Sequence, residues 1–275
     1  MASSFRRRVD IPVRKSFVRP MTETSDPVAP LARIYSGGRS GVVAVKLYLA
    51  LIWRCSAPPF STDKPARAWA TLLDLEDPEG KGARRIKDAM RRLADEQLID
   101  VTSQAGYPNL VTLRDESGSG RAYELPSTSY SFGKANRASK EALAAQTYFK
   151  VPLRLWTRGY IQALKGPGLV MLLILLAEQG GEGARVWFST DEFPRRYNIS
   201  HKTRAAGTQE LRNMGLLTVE REGLPPTSKS GVFETRRTRN VYRLDALAQN
   251  TPAEDTAPAK PRKRRRVKRK PTPKA

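Results

Sequence analysis

The chain has 275 residues, with 49 Lys and Arg against 27 Asp and Glu, for a formal net charge of +22. A single cysteine rules out a disulfide framework, and a single histidine rules out the paired-His metal site of rolling-circle nucleases. Residues 259–275 carry +10 without an acid and residues 1–20 carry +5, which leaves +7 for the body between them; a basic body with basic ends points to a polyanionic partner.

Residues 1–40 read as a disordered basic arm, with Arg6-Arg7-Arg8 and several prolines. The run Ser36-Gly37-Gly38-Arg39-Ser40-Gly41 lacks the Lys-Ser/Thr of a phosphate-binding loop, and no apolar segment of a secretory signal is visible. Val42 to Cys55 predicts a helix apolar on every side, so central to a core. Cys55 reads as a small core residue and not as a catalytic thiol. Ser61-Thr62-Asp63 predicts the cap of a second helix, with Pro65 in its first turn and Ala66, Trp69, Leu72 and Leu73 at helical spacing. After the turn Asp77 to Gly82, a third helix runs from about Ala83 to Gln97 with an inner stripe of Ile86, Ala89, Met90, Leu93 and Ala94. Leu98-Ile99-Asp100-Val101 and Leu110-Val111-Thr112-Leu113 read as a hairpin with its tip at residues 105–109.

Residues 117–148 read as a connector of loop chemistry, with Ser139 capping a short helix. Fully extended at ~3.3 Å per residue, it would reach on the order of 100 Å. Phe149 to Pro152 leads into a helix containing Leu153, Trp156, Tyr160 and Leu164, and an apolar helix from Leu169 to Glu178 follows. The strand Val186-Trp187-Phe188 comes next, then a capped helix from Ser189 to Tyr197, a turn at Asn198, and a helix His201 to Met214 capped by Ser200. Gly215 stands at the helix C′ position. Leu216 to Glu220 and Asn240 to Leu244 form a second hairpin. The two stretches align at an offset of 118, pairing Leu93 with Leu211, Leu98 with Leu216, Ile99 with Leu217 and Val101 with Val219, which reads as an internal duplication. Strand, helix, turn, helix, hairpin is the order of a winged helix-turn-helix, whose second helix enters the major groove. The expected fold is therefore mainly α with small β-hairpins (α+β): two such domains, 41–116 and 149–246, with disordered basic termini at 1–40 and 247–275.

The candidate reading helices carry Lys81, Arg84, Arg85, Lys87, Arg91 and Arg92 in the first domain, and Ser200, His201, Lys202, Thr203 and Arg204 in the second. Arg and Lys suit guanine edges. Gln209 and Arg212 lie further along, at phosphate reach. In the second wing Lys229, Arg236, Arg237 and Arg239 are expected at the DNA backbone, with Glu220, Glu222 and Glu234 close enough in sequence to pair with them instead. The tail residues Arg262, Lys263, Arg264, Arg265, Arg266, Lys268, Arg269 and Lys270 are expected to bind backbone without sequence preference. A nuclear localisation signal is the other reading of this run. His201, Arg204 and Tyr242 echo part of a tyrosine-recombinase site, but the leading Arg motif is missing.

Residues 62–113 and 149–244 resemble the two halves of tandem winged-helix proteins of actinobacterial plasmids, phages and chromosomes. The stretches that carry the resemblance are Ala68-Trp69-Ala70-Thr71-Leu72-Leu73, Gly80-Lys81-Gly82-Ala83-Arg84-Arg85-Ile86, Gly215-Leu216-Leu217-Thr218-Val219 and Arg237-Thr238-Arg239-Asn240-Val241-Tyr242. The arrangement is also similar to that of plasmid replication initiators. The resemblance implies a non-enzymatic, sequence-specific binder of double-stranded DNA, either a replication initiator or a transcriptional regulator. Replication or transcription proteins would be its further partners. A nucleoid-packaging protein and a recombinase acting through Tyr242 are the alternatives. No metal or cofactor is expected, and the chain is expected to be a monomer or homodimer. The longest apolar run, Leu169 to Ala177, is shorter than the ~20 residues a bilayer needs, so a cytoplasmic protein of the bacterial nucleoid is expected.

Overall fold

A computed structural model describes residues 10–21, 28–36, 38–180, 184–224 and 237–245. It is mixed α+β, with helices and small antiparallel sheets. The first elements are β1 (Asp10–Arg14), a 3-10 turn (Lys15–Phe17) and α1 (Pro30–Tyr35). For residues 10–21 and 28–36 this corrects the expectation of a disordered arm: Ile11, Val13, Phe17, Val18, Leu31 and Ile34 are each at most 1% exposed. Arginines and prolines punctuate the segment, but the short alternation Ile11-x-Val13 is enough to place a strand face against the core. Residues 1–9 and 246–275, including the basic tail, lie outside the described residues, as do Lys229 and Arg236.

The first repeated unit comprises α2 (Arg39–Arg54), β2 (Ser61–Thr62), α3 (Ala66–Leu72), α4 (Lys81–Asp95), β3 (Ile99–Gln104) and β4 (Tyr107–Leu113). The run from Val43 to Ile52 is buried throughout, which makes α2 the central helix expected of it. Ser61 and Thr62 do not cap α3. They pair with Thr112 and Val111 as a third strand, and Pro65 sets the entry to the helix. Asp77 starts α4 ahead of the expected position, because its carboxylate accepts the N–H groups of Gly80 (3.2 Å) and Lys81 (2.9 Å).

The connector is folded, not a tether. It holds α5 (Pro126–Ala135) and α6 (Lys140–Ala145), the latter capped by Ser139 as expected, through the Ala142 N–H at 3.1 Å. Then β5 (Tyr148–Pro152) pairs antiparallel with β1, from Asp10 opposite Pro152 to Arg14 opposite Tyr148. A buried cluster clamps this region. Arg14, 2% exposed, contacts Glu116 directly, lies 3.6 Å from Asp115, and donates to Gln146 (3.0 Å) and Ser129 (3.3 Å). Burial works against the Arg14 charge, yet the two carboxylates outweigh it and raise its pKa. Burial also pushes the Glu116 carboxyl up to about 7, against the pull of Arg14. The helix expected near residues 153–164 is two short ones, α7 (Arg154–Thr157) and α8 (Tyr160–Ala163), broken where Gly159 takes φ 77°.

The second unit repeats the order of the first: α9 (Gly166–Glu178), β6 (Val186–Trp187), α10 (Glu192–Tyr197), α11 (His201–Asn213), β7 (Leu217–Gly223) and β8 (Thr238–Leu244). The two three-stranded sheets have matching orders, β2-β4-β3 and β6-β8-β7. The expected equivalences hold through α4/α11 and the strands that follow. Leu93 and Leu211 are both fully buried, as are Leu98 and Leu216. The Leu98 N–H donates to Leu93 O (3.0 Å) and the Leu216 N–H to Leu211 O (2.9 Å). The intervening Gln97 and Gly215 both take positive φ, 56° and 69°.

One apolar cluster runs from Ile11 through α2 and α9 to Leu244, so the two units share a core. At the seam Lys46, 7% exposed, donates to the carbonyl of Gln162 at 2.7 Å. Gly166 lies so close to Tyr35 and Val42 that a Cβ there would press into both side chains. Among the described residues no helix is long and apolar enough to cross a membrane.

Candidate nucleic-acid interface

The outer face of α4 collects the basic residues predicted for it. Lys81, Arg84, Arg85, Lys87 and Arg91 are all exposed, because the apolar stripe Ile86, Ala89, Met90 and Leu93 turns the opposite face inward. Arg91 pairs with Asp88 at 3.2 Å in an exposed i, i+3 contact. Arg92 departs from the prediction. It is half-buried and donates to the Arg33 carbonyl at 3.2 Å, while Arg33 itself pairs with Glu96. These contacts fix the C-terminal part of α4 to α1 and leave its first turns free.

On α11 the Ser200 hydroxyl accepts the Thr203 N–H at 3.2 Å, as a cap should. His201 and Lys202 are exposed on the first turn and Arg212 on the last. Thr203 is half-buried with its hydroxyl 3.0 Å from that of Ser200, and Gln209 donates to Asn213 at 2.8 Å. Arg204 is the main correction on this helix. Its guanidinium lies 4.7 Å from the Phe193 ring centroid, 5.4 Å from that of Phe188 and 5.6 Å from that of Tyr242, and it donates to the Tyr242 hydroxyl at 3.0 Å. A guanidinium held among three rings is packing chemistry and does not project toward a ligand. The same contact occupies the hydroxyl of Tyr242, which is 3% exposed.

The basic residues of the second hairpin divide in the same way. Arg237 is exposed, whereas Arg239 donates to Glu222 (3.1 Å) and stacks 4.9 Å from the Trp187 ring centroid. Glu220 and Glu222 also attract Arg185, and Glu220 attracts Arg243. The cross-hairpin pairing left open by the sequence is thus present for Arg239.

Burial lowers the Lys46 ammonium to about 8, and its charge is felt by Glu210 on α11, which opposes the shift, and by Arg85 on α4, which adds to it. Glu210 in turn accepts the N–H groups of Lys165 (2.7 Å) and Gly168 (3.0 Å), neutralising the N-terminal end of α9.

Sequence reasoning overlooked three exposed side chains: Tyr107 at the tip of the first hairpin, Trp187 at the end of β6, and Arg221 on β7. Tyr107 was legible as an aromatic beside the turn glycine Gly106. Trp187 sits in the apolar run Val186-Trp187-Phe188, and nothing in that run marks its ring as exposed. Cys55 is buried, which pushes its thiol up to about 11. Among the described residues no group of three His, Cys, Asp or Glu is placed to hold a metal ion. Comparison of the chain with family models, curated proteins and solved structures returns no match.

Proposed function

We propose that the chain is a sequence-specific double-stranded DNA-binding protein without catalytic activity. In this reading it consists of two tandem winged helix-turn-helix domains. The helices α4 and α11 read the major groove, and the hairpins β3–β4 and β7–β8 are the wings. The observation that carries the reading is the exposed face of Lys81, Arg84, Arg85, Lys87 and Arg91, on a helix that follows a helix-turn and precedes a hairpin. Support comes from the second copy of the same order of elements. The biological role is that of a plasmid or phage replication initiator or of a transcriptional regulator in the bacterial nucleoid. A bound site within an origin marks the first, and a bound site over a promoter the second.

In-vitro selection from a random duplex pool with the full chain tests this. Because the units share a core, the expected product is a two-block motif with fixed spacing, and inserting five base pairs between the blocks weakens binding far more than inserting ten. Arg84→Ala with Arg85→Ala lowers affinity for the selected duplex by roughly 1–3 kcal/mol per lost base contact. Selection that enriches no sequence would favour the packaging reading instead.

A further inference from the structure

β6 pairs only with the far part of β8, Val186 opposite Tyr242 and Trp187 opposite Val241. β8 continues to Thr238 with β7 along its other edge. Where β6 stops, a polar cleft of about 850 Å³ opens between β8 and residues 188–191. Its lining includes Trp187, Arg204, Arg221, Arg237, Arg239 and Asn240, and Asp191 is the one acid among the described lining residues. Strand alternation puts Arg221 and Asn240 on one face of the sheet and Trp187, Arg237 and Arg239 on the other, so the cleft has guanidinium groups on both sides.

Trp187 is 53% exposed, a large apolar surface to leave in water. Its ring is nevertheless held in place. Arg239 stacks on it and is itself fixed by Glu222. Arg204, on the opposite side, is committed to its aromatic cage. Arg221 and Arg237 are exposed and make no ion pair with an acid among the described residues. The cleft thus joins an indole held in place by Arg239 to the exposed guanidinium groups of Arg221 and Arg237, which reach it from opposite faces of the sheet, and a stacking surface with cations beside it matches one ligand chemistry, a planar base carrying phosphate. The cleft falls within the ~300–1,000 Å³ of small-ligand sites.

We propose that this cleft binds an unpaired nucleotide of a DNA strand, its base stacked on Trp187 and its flanking phosphates against Arg221 and Arg237. The site rests on the DNA-binding reading only in taking the strand to be DNA; its described lining includes no residue of α4 and, from α11, only Arg204.

The test uses the full chain, with tryptophan fluorescence and anisotropy as readouts and three probes: single-stranded oligothymidylate, a duplex of matched length, and thymidine 5′-monophosphate. The oligothymidylate should quench fluorescence, and Trp187→Ala should weaken its binding by roughly tenfold, as expected for a lost base stack. Trp187→Phe, which keeps a ring, should restore much of that loss. Arg221→Ala with Arg237→Ala should weaken single-strand binding and flatten its salt dependence. Duplex affinity should be unchanged by Trp187→Ala and reduced by Arg84→Ala with Arg85→Ala. If the last pair has no effect on duplex while Trp187→Ala still weakens the single strand, the reading-helix proposal fails and this one stands. Thymidine monophosphate competing at the same Trp187 signal supports the site with free nucleotide as its source. Single-strand binding by Trp187→Ala at wild-type affinity overturns the proposal.

Discussion

Setting α4 beside α11 at the 118-residue offset brings out what the two units share and where they part. The exposed Arg84, Arg85, Lys87 and Arg91 of α4 become Lys202, Thr203, Ala205 and Gln209 on α11. The fully buried Ile86 becomes Arg204, and the rings of Phe188, Phe193 and Tyr242 make a core position habitable for a guanidinium. Arg92, donating to a carbonyl in the last turns of α1, becomes Glu210, accepting N–H groups at the start of α9. A cation at a helix C-terminus and an anion at an N-terminus are equivalent solutions, so one scaffold tolerates a reversal of charge at the same position. The hairpins differ in the opposite sense: residues 102–109 carry no basic side chain, whereas β7 and β8 carry Arg221, Arg239 and Arg243. Two of those three are answered by acids, Arg239 by Glu222 and Arg243 by Glu220.

The largest expected effect breaks the packing difference between the helices. Ala89 and Gly207 are equivalent, but a Cβ on Gly207 would overlap the Pro167 carbonyl and meet the Met171 Cβ at 2.8 Å, so α11 lies closer to α9 than a side chain permits. Gly207→Val should cost about 3 kcal/mol or more through overpacking, against about 1 kcal/mol for Ala89→Gly through helix propensity. Chemical denaturation of the two variants measures this, and equal losses would refute the closer approach of α11.

Next in size is a pH effect confined to the first unit and its clamp. Among the described residues the only buried acids are Asp115 and Glu116. With the Glu116 carboxyl raised from 4.5 to about 7, the folded state binds its proton more tightly than the unfolded chain does. This contribution to stability is fully present below pH 4.5 and is lost as pH rises through 7. At ~1.4 kcal/mol per unit it amounts to a few kcal/mol. Melts at pH 5 and pH 8 should show the loss in the wild type and a much smaller one in Glu116→Gln. A pH dependence unchanged by the substitution would assign it elsewhere.

The smallest effect concerns the cage that replaces Ile86. Tyr242→Phe removes the acceptor of the Arg204 bond and should cost about 1 kcal/mol, read by thermal melting, with DNA affinity unchanged. A covalent protein–DNA adduct formed by the wild type and lost in this variant would instead support the recombinase reading.

The duplication was legible because its signals are local: Leu93 and Leu98 in one unit, Leu211 and Leu216 in the other, each pair around a left-handed residue. The Ser200 and Ser139 caps were legible for the same reason. What escaped depends on distant partners. β1 is a strand only because residues 148–152 complete it, and Ser61-Thr62 looks like a helix cap until Val111 and Thr112 lie beside it. Of the candidate interface, the basic face of α4 followed from helical periodicity alone. The withdrawal of Arg92 and Arg204 from that interface required a carbonyl of α1 and three aromatic rings that sequence spacing does not bring together.

The pairing of β1 with β5 has a consequence for synthesis. Arg14 leaves the ribosome well before Glu116, and Asp10 to Arg14 before their partners at Tyr148 to Pro152. At ~5–20 residues per second the wait for β5 is on the order of 10 s. Throughout it the nascent chain carries the apolar Ile11, Val13 and Phe17 without the strand that completes their sheet. The N-terminal segment is therefore the piece that a holding chaperone would have most time to meet.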